Sequence, residues 1–463
     1  MNSDLYFETY QSPFSWRYGS GEMRQIFSEV NRRKTWRKVW VALAKAQHKL
    51  GLVSSQELAD IEKHKNDIDI TKSHKIEKEI KHDLMAELKT YALQAKVGGG
   101  KLHLGATSQD IEDNADAINL SRAVLIIESN LKNLLLSFEK QIVKNKDLVC
   151  MAYTHLQPAQ PTTLGYRLSF YAQDLLIDWQ LLQFVKNQIK GKGIKGAVGN
   201  AASYVFLAGQ KAQNLEKEVL EDLGIEAFDV TTQVYPRKID YLIIVLLSSI
   251  AQSLYKFALD LRIMQSPGFG EMAESFSSKQ VGSSAMPFKR NPQSSERICS
   301  LSRYIVSLSK VAWDNAANSI LERTLDDSAS RRIILPDAFL ATDEILMLAI
   351  DVVKNLSVDR ENIQKNLEKY GPFSALEKIM IEATRNGADR QEVHEILRKH
   401  AMRAYSARGS SVQSTIALSL KSDPYLKKYL SNEKMASLVD YKKHTGLASQ
   451  KSLETARKIR NIF

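Results

Sequence analysis

The sequence predicts an all-α protein of three helical domains, residues 1–107, 108–358 and 359–463, with the longest helices bundled in the middle one. Three observations predict it. Leu120, Val124, Ile127, Leu131, Leu134, Phe138 and Ile142 are spaced four, three, four, three, four and four residues apart, the seam of a long bundle or coiled-coil helix. Comparable patterns recur over 164–185, 239–264, 300–311 and 335–356 with no strand alternation between them, which argues for helix packed on helix. A chain of 463 residues also exceeds what one small core organises.

Composition narrows the class. With 44% hydrophobic and 25% charged residues and few glycines and prolines, the chain has the profile of a soluble globular protein and not of a disordered one. The opening MNSDLYFETYQSPFSW carries early acids and no unbroken apolar run, so no secretory signal is expected. The longest apolar stretch, Tyr241 to Tyr255, lies between Asp240 and Lys256 and is shorter than the ~20 residues a bilayer demands, so it reads as a buried helix and no membrane is expected as a partner. Cys150 and Cys299 are too few for a disulfide framework and wrongly spaced for zinc, and a reducing cytoplasm is the simplest setting. The net charge of +11 comes from lysines and arginines mixed with acids along helical faces. Without a compact basic stripe no nucleic-acid partner is expected, whereas an anionic small molecule is compatible with the excess.

Taken in order, SPFSWRYGS sets Arg17 and Tyr18 between turn residues. A helix is predicted from near Glu22 through NRRKTWRKVWVALAKAQHKLGL, with Trp36, Trp40, Leu43, Ala44 and Leu50 as its apolar stripe. The segment EIKHDLMAELKTYALQAK reads as helical too, so Lys81, His82 and Asp83 point in different directions and His82 is a structural or surface histidine on local chemistry alone. GGGKLHLGATSQDIEDN lacks the GxxxxGK[ST] pattern, which excludes a phosphate loop of the NTPase kind. Thr107 and Ser108 suit the start of the next helix, Asp110, Glu112 and Asp113 favour its positive end, and its remaining amides suit an anion.

After the seam, YTHLQPAQPTT presents His155 on a rigid, proline-fixed turn. GKGIKG satisfies GxGxxG, but a helix precedes it, so a dinucleotide fold is not expected, and AVGNAAS after it reads as a flexible loop close to ligand. TTQVYPRKID places Gln233 just before the most apolar helix, whose lack of a polar face implies cover on every side and packing beyond one chain. GSSAMPFKRNPQSSER, residues 282–297, has bendable residues at its entry, prolines at 287 and 292, and Lys289, Arg290 and Asn291 between them. A lid over an anion and a basic surface turn both fit that chemistry. In LERTLDDSASRR, Arg323, Arg331 and Arg332 stand with Thr324, Ser328 and Ser330, which suits a phosphate dianion and equally a salt-bridged helix start. The register changes near Val358, and HEILRKH lacks the spacing of a zinc protease, so no metal is assigned.

Several of these segments carry a resemblance. Residues 282–292 match G-S-S-x-M-P-x-K-x-N-P at every fixed position, and THLQPAQ matches T-H-x-Q-x-A-Q in full. Both are signatures of the fumarase/aspartase superfamily. Together with RY, KHD, HLGATS followed by Asp113–Asn114, Gln233 and RTLDDSASRR, they make the chain most similar to its adenylosuccinate lyase family. That resemblance implies a homotetramer with a large helical core, active sites each shared among three subunits, and no cofactor. It implies release of fumarate from succinylated purine nucleotides, both adenylosuccinate and the succinylated aminoimidazole carboxamide ribotide. By the same resemblance Ser283 is the base, His155 the acid, Lys289 the electrostatic stabiliser and Glu296 the carboxylate orienting His155. Arg17, Tyr18, Arg323, Ser328 and Arg332 contact the nucleotide, while Lys81, His82, Asp83, Thr107, Ser108, Gln233, Asn291 and Arg297 line the remainder. Physical chemistry alone would not choose serine as base, because its hydroxyl is too weak an acid unless a desolvated, cation-rich loop surrounds it. An argininosuccinate lyase would share the elimination loop but has no use for a phosphate clamp. A non-catalytic helical scaffold or nucleic-acid binder has no use for Ser283, His155 and Lys289 together.

Overall fold

The computed structural model describes residues 8–277, 279–406 and 412–463. The described residues are all-α apart from four short strands. Two compact units divide the chain, one comprising the residues up to Leu131, Asp178–Gln252 and Ser300–Met347, the other Lys132–Ile177, Ser253–Cys299 and Leu348–Phe463.

In the first unit, the single helix expected from Glu22 is two, Gly21–Ile26 and Glu29–Lys49. Ser28 breaks it: its hydroxyl caps the Asn31 amide at 3.2 Å, while the Asn31 side chain donates to the Ile26 carbonyl at 2.7 Å. The predicted stripe is otherwise core, with Trp36, Trp40, Leu43 and Ala44 buried against Leu84, Tyr91, Ile111, Tyr204 and Leu215. The seam helix spans Ser108–Lys144, and every residue of the predicted seam is at most 3% exposed.

Two buried polar assemblies fix the loops of this unit. Asp110, in the first turn of the seam helix, accepts from Lys192 Nζ at 2.5 Å, from the amides of Lys195 and Gly196 at 3.1 Å, and from the Thr107 amide at 2.9 Å. Asn114, one turn on, exchanges two hydrogen bonds with the Gly193 backbone. GKGIKG is therefore an internal loop, buried throughout, and its glycines serve close packing: a Cβ at Gly191 would collide with the Asn114 carboxamide. The second assembly centres on Arg331, which lines one cavity with Arg323, Ser328 and Arg332 and is also salt-bridged, the other arrangement its segment suits. Arg331 binds Asp240 at 2.5 Å and the Tyr235 hydroxyl at 2.7 Å, beside Arg237, which joins Asp113 at 3.1 Å and Asp327 at 2.6 Å.

In the second unit, the strands β1 (Val149–Thr154) and β2 (Gln157–Thr163) form an antiparallel hairpin where no strand was expected, with Met151 opposite Pro161 and Thr154 opposite Gln157. Pro158 and Pro161 are tolerated because a two-stranded ribbon leaves one side of each strand unpaired. Buried Glu271 ties this hairpin to its surroundings through Tyr153, Arg167 and Asn366, each at 3.1 Å. Near Val358, β4 (Ser357–Val358) pairs with β3 (Met272–Ala273), and Asp359 then caps the helix Arg360–Arg385.

The most apolar helix, Lys238–Gln265, has 28 residues, longer than its apolar run, and by length and composition alone it is long enough to cross a membrane. Within one chain its apolar window is only 56% buried, so the expected cover on every side is incomplete. The helix Leu164–Gln188 likewise leaves a row of apolar side chains outside: Tyr166, Phe170, Ile177 and Phe184 are each about half exposed at intervals of four and seven residues.

Because Asp110 neutralises a fully buried lysine and satisfies three amides, Asp110→Ala should destabilise the fold by about 3–5 kcal/mol, read from the midpoint of a denaturant melt. A loss under ~1 kcal/mol would show that the 191–196 loop does not depend on this carboxylate.

Candidate functional site

Lys81, His82 and Asp83 lie at a junction between two helices, and not inside one. Lys81 closes Ile70–Ile80 in the left-handed conformation with φ 57°, and His82 is the extended N-cap of Asp83–Gln94. The junction splays the three side chains as expected but gives each a place. His82 Nδ1 accepts from the Met85 amide at 3.4 Å, leaving Nε2 3.5 Å from the Ser108 hydroxyl. Asp83 forms an ion pair with Arg332 at 2.6 Å. Burial raises the Asp83 pKa, but Arg332 outweighs it and the carboxyl titrates below its ordinary value.

Arg332 opens onto a cavity of about 160 Å³ whose lining includes Arg32, Trp36, Glu112, Arg323 and Ser328. The structure thus brings Arg323, Ser328 and Arg332 to one wall, with Asp83 directly behind. Arg323 is held 3.3 Å from Asp327. Glu112 accepts from the Gln109 side chain at 2.6 Å and lies 4.0 Å from Arg332. Burial, reinforced by Asp83, pushes its carboxyl up to about 8. Arg17, Tyr18, Lys81, Thr107 and Gln233 are not among the residues lining this cavity. Arg17 lies exposed over the rings of Trp16 and Tyr18, the Thr107 amide is taken by Asp110, and the Gln233 amide donates to the Glu322 carbonyl.

Sequence reasoning did not single out two residues of this region. His103 has φ 66° and accepts the Trp40 indole N–H on Nδ1 at 3.0 Å, and burial drives its pKa down to about 4, so it is neutral at physiological pH. Its signal was its place in HLGATS. Glu112 was read only as an acid favouring a helix start, and no local feature announces that Asp83 and Arg332 converge on it.

The second unit holds the remaining candidates. His155 and Leu156 form the two-residue turn between β1 and β2, with φ 54° and 58°. Positive φ at both positions marks a type I′ hairpin turn, a conformation that favours glycine or asparagine and strains these side chains by roughly 1–2 kcal/mol each. The ladder imposes that strain and presents the exposed imidazole at the tip. The rigidity expected from prolines comes from strand pairing.

The 282–297 loop is pinned where a freely bending entry was expected. The Gly282 carbonyl accepts from the Asn291 side chain at 2.9 Å, and a Cβ at 282 would be driven into the Lys289 carbonyl. Ser283 Oγ accepts the amides of Met286 at 3.1 Å and Ala285 at 3.3 Å. Buried Glu274 accepts the amides of Ser294 and Ser295, anchoring the start of the helix Gln293–Ala317. Lys289 and Glu296 are exposed, and Arg297 follows in the first turn. Among the described residues of one chain, no hydrogen bond joins His155 to Ser283, Lys289 or Glu296.

A family model described as Lyase matches residues 17–307, and one described as Adenylosuccinate lyase C-terminus matches 372–451. The adenylosuccinate lyase of Schistosoma mansoni is 40% identical over 405 residues, covering 86% of this chain and 84% of that protein. That of Saccharomyces cerevisiae is 40% identical over 400 residues, 85% and 83% of the two chains. That of Archaeoglobus fulgidus is 34% identical over 457 residues, 97% and 99%. Among solved structures, a fumarate lyase from Mesorhizobium sp. BNC1 superposes with a TM-score of 0.84 at 21% identity, over 97% of this chain and 99% of that one. The 3-carboxy-cis,cis-muconate lactonizing enzyme of Pseudomonas putida gives 0.85 at 23% identity, over 98% and 99%. These two share the fold.

Gly282→Ala should force the loop open and speed protease cleavage between 282 and 291 while leaving helical circular dichroism unchanged. Cleavage at the native rate would mean that the Asn291 clasp does not hold the loop.

Proposed function

The chain belongs to the adenylosuccinate lyase family, and we propose that it catalyses β-elimination of fumarate from adenylosuccinate, leaving AMP, and from the succinylated aminoimidazole carboxamide ribotide. The wall of Arg323, Ser328 and Arg332 carries this reading. Two guanidinium groups and a hydroxyl on one cavity suit the phosphate monoester of a nucleotide, and an argininosuccinate substrate has no group to place there.

The elimination removes a proton from the carbon beside a carboxylate, so that carboxylate takes on a second negative charge before the C–N bond breaks. We assign Ser283 as the base. Two backbone amides already point at its Oγ, and donors to an oxygen favour its ionised form. Lys289 and the loop amides then stabilise the dianion, with Asn291 and Arg297 beside them. His155 protonates the departing nitrogen, and Glu296 orients the imidazole. Arg17, Tyr18, Lys81, His82, Asp83, Thr107, Ser108 and Gln233 hold the remainder of the nucleotide. The reaction asks only for proton transfers and charge stabilisation, and no cofactor or metal is assigned.

Separate copies of the chain supply these groups to one site. The half-exposed row Tyr166, Phe170, Ile177 and Phe184, with Val306 and Trp313 seven residues apart on another helix, supports burial against identical helices in a homotetramer. We keep the division into 1–107, 108–358 and 359–463, with Asp359 capping the helix that opens the last part, and a cytoplasmic location.

Purified protein incubated with adenylosuccinate should yield fumarate and AMP in equal amounts, and absence of fumarate would reject the reading. Ser283→Ala and His155→Gln should each lower kcat by about a hundredfold or more while substrate still binds. Near-native turnover in either removes that assignment. Arg332→Gln should raise KM more than it lowers kcat, because the phosphate is remote from the reacting bond. The reverse pattern would place Arg332 in the chemical step.

A further inference from the structure

We propose that Glu112 is a further substrate-binding residue, a carboxylic acid that keeps its proton and donates it in a hydrogen bond to the phosphate held by Arg332. This rests on the phosphate reading of the cavity and goes beyond it by making phosphate binding depend on a proton.

The placement is specific. Glu112 is on the first turns of Ser108–Lys144 and lines the same cavity as Arg323, Ser328 and Arg332. Its Oε2 takes the Gln109 amide at 2.6 Å, and its Oε1 lies toward Arg332. Arg332 cannot neutralise it, because that guanidinium sits 2.6 Å from Asp83 and 4.0 Å from Glu112. The closer carboxylate takes the cation and repels a second charge.

Charges converge on Glu112 from every neighbouring element. Asp83 comes from the start of its own helix, and Arg332, with Arg331 and Arg323, from the arginine segment. Asp113 and Asp116 share the helix of Glu112, and the ion-paired Glu29 and Arg32 line the cavity from Glu29–Lys49. Burial is the largest influence, the acids Asp83, Asp116 and Asp113 add to it, and Arg332 alone among its strong neighbours opposes them, so the group titrates at about 8. An ionised carboxylate at this wall would repel a phosphate dianion, whereas the protonated acid offers it an O–H.

The sign follows from linkage. A bound dianion strengthens the protonated form, so binding takes up a proton wherever free Glu112 is ionised, and affinity falls as pH rises through about 8. Calorimetric titration of the full-length protein with AMP between pH 7.5 and 9.5, in buffers of different ionisation enthalpy, reads this directly. Wild type should show proton uptake growing with pH and a Kd that weakens by up to about tenfold per pH unit above that midpoint. Glu112→Gln, whose amide donates at every pH, should show neither trend. Wild-type binding without proton uptake at pH 9 would overturn the proposal without recourse to a variant, and so would an identical pH profile in Glu112→Gln. Fumarate release alongside pH-independent AMP affinity would sink this inference alone, whereas no AMP binding and no fumarate release would remove the phosphate reading and this inference together.

Discussion

Asp110 is the constraint on which the first unit depends. A carboxylate with no exposed surface is tolerable only when cations and amides surround it, and here Lys192 and three backbone N–H groups do so. The Thr107 amide is the free donor that any helix start leaves over, so the same carboxylate that fixes the 191–196 loop also closes the entry to the longest helix. Ser108, next in line, meets His82 from the 81–83 junction, and Glu112 meets Asp83 and Arg332 one turn on. The buried Asp110–Lys192 pair thus stands at the root of the helix that carries Glu112 into the cavity wall.

A cavity lined with arginines faces a problem before its ligand arrives. Guanidinium groups without partners repel one another and cannot be desolvated, so each must be paired without being spent. Asp83 does this for Arg332, Asp327 for Arg323, and Asp240 for Arg331. The three differ in outcome. Arg331 is buried and wrapped by Asp240 and Tyr235, while Arg332 is about half exposed beside its Asp83 partner, and both line the cavity. Adjacent arginines on one helix thus differ in burial because helical geometry turns successive side chains in different directions.

Much of this was legible in the sequence. The heptad seam identified the long helix because its spacing is imposed by burial along its whole length, and the signature loop was found from its residue types. What was not legible has two physical causes: local residue types that hide a strand or a turn, and deciding partners that lie far away in the chain. Alternation in β1 and β2 is masked by Pro158 and Pro161, so a hairpin looked like a stiff turn. No glycine marks the junction at Lys81, where a lysine takes the left-handed position. GKGIKG has the glycines of a nucleotide loop, yet they answer to Asn114 and Asp110, some eighty residues earlier. Arg331 and Arg332 are indistinguishable in sequence, and only the position of Asp240 separates them.

The second unit stores its constraint in backbone conformation. A hairpin that places histidine and leucine at two left-handed positions is less stable than one with asparagine and glycine there, and the difference must be met by the ladder and by Glu271 beneath it. The return is a side chain carried beyond the ladder on a turn that cannot relax into another register without breaking Thr154 from Gln157. In the 282–297 loop the same logic operates through close approach, since Gly282 meets the Lys289 carbonyl and Asn291 locks the two ends. An elimination that develops two negative charges on one carboxylate gains most from donors already fixed in place, because dipoles that must reorient during the reaction give back part of what they contribute. Both elements are held at the backbone, the hairpin by its ladder and the loop by the Asn291 clasp, while His155 and Lys289 stay exposed.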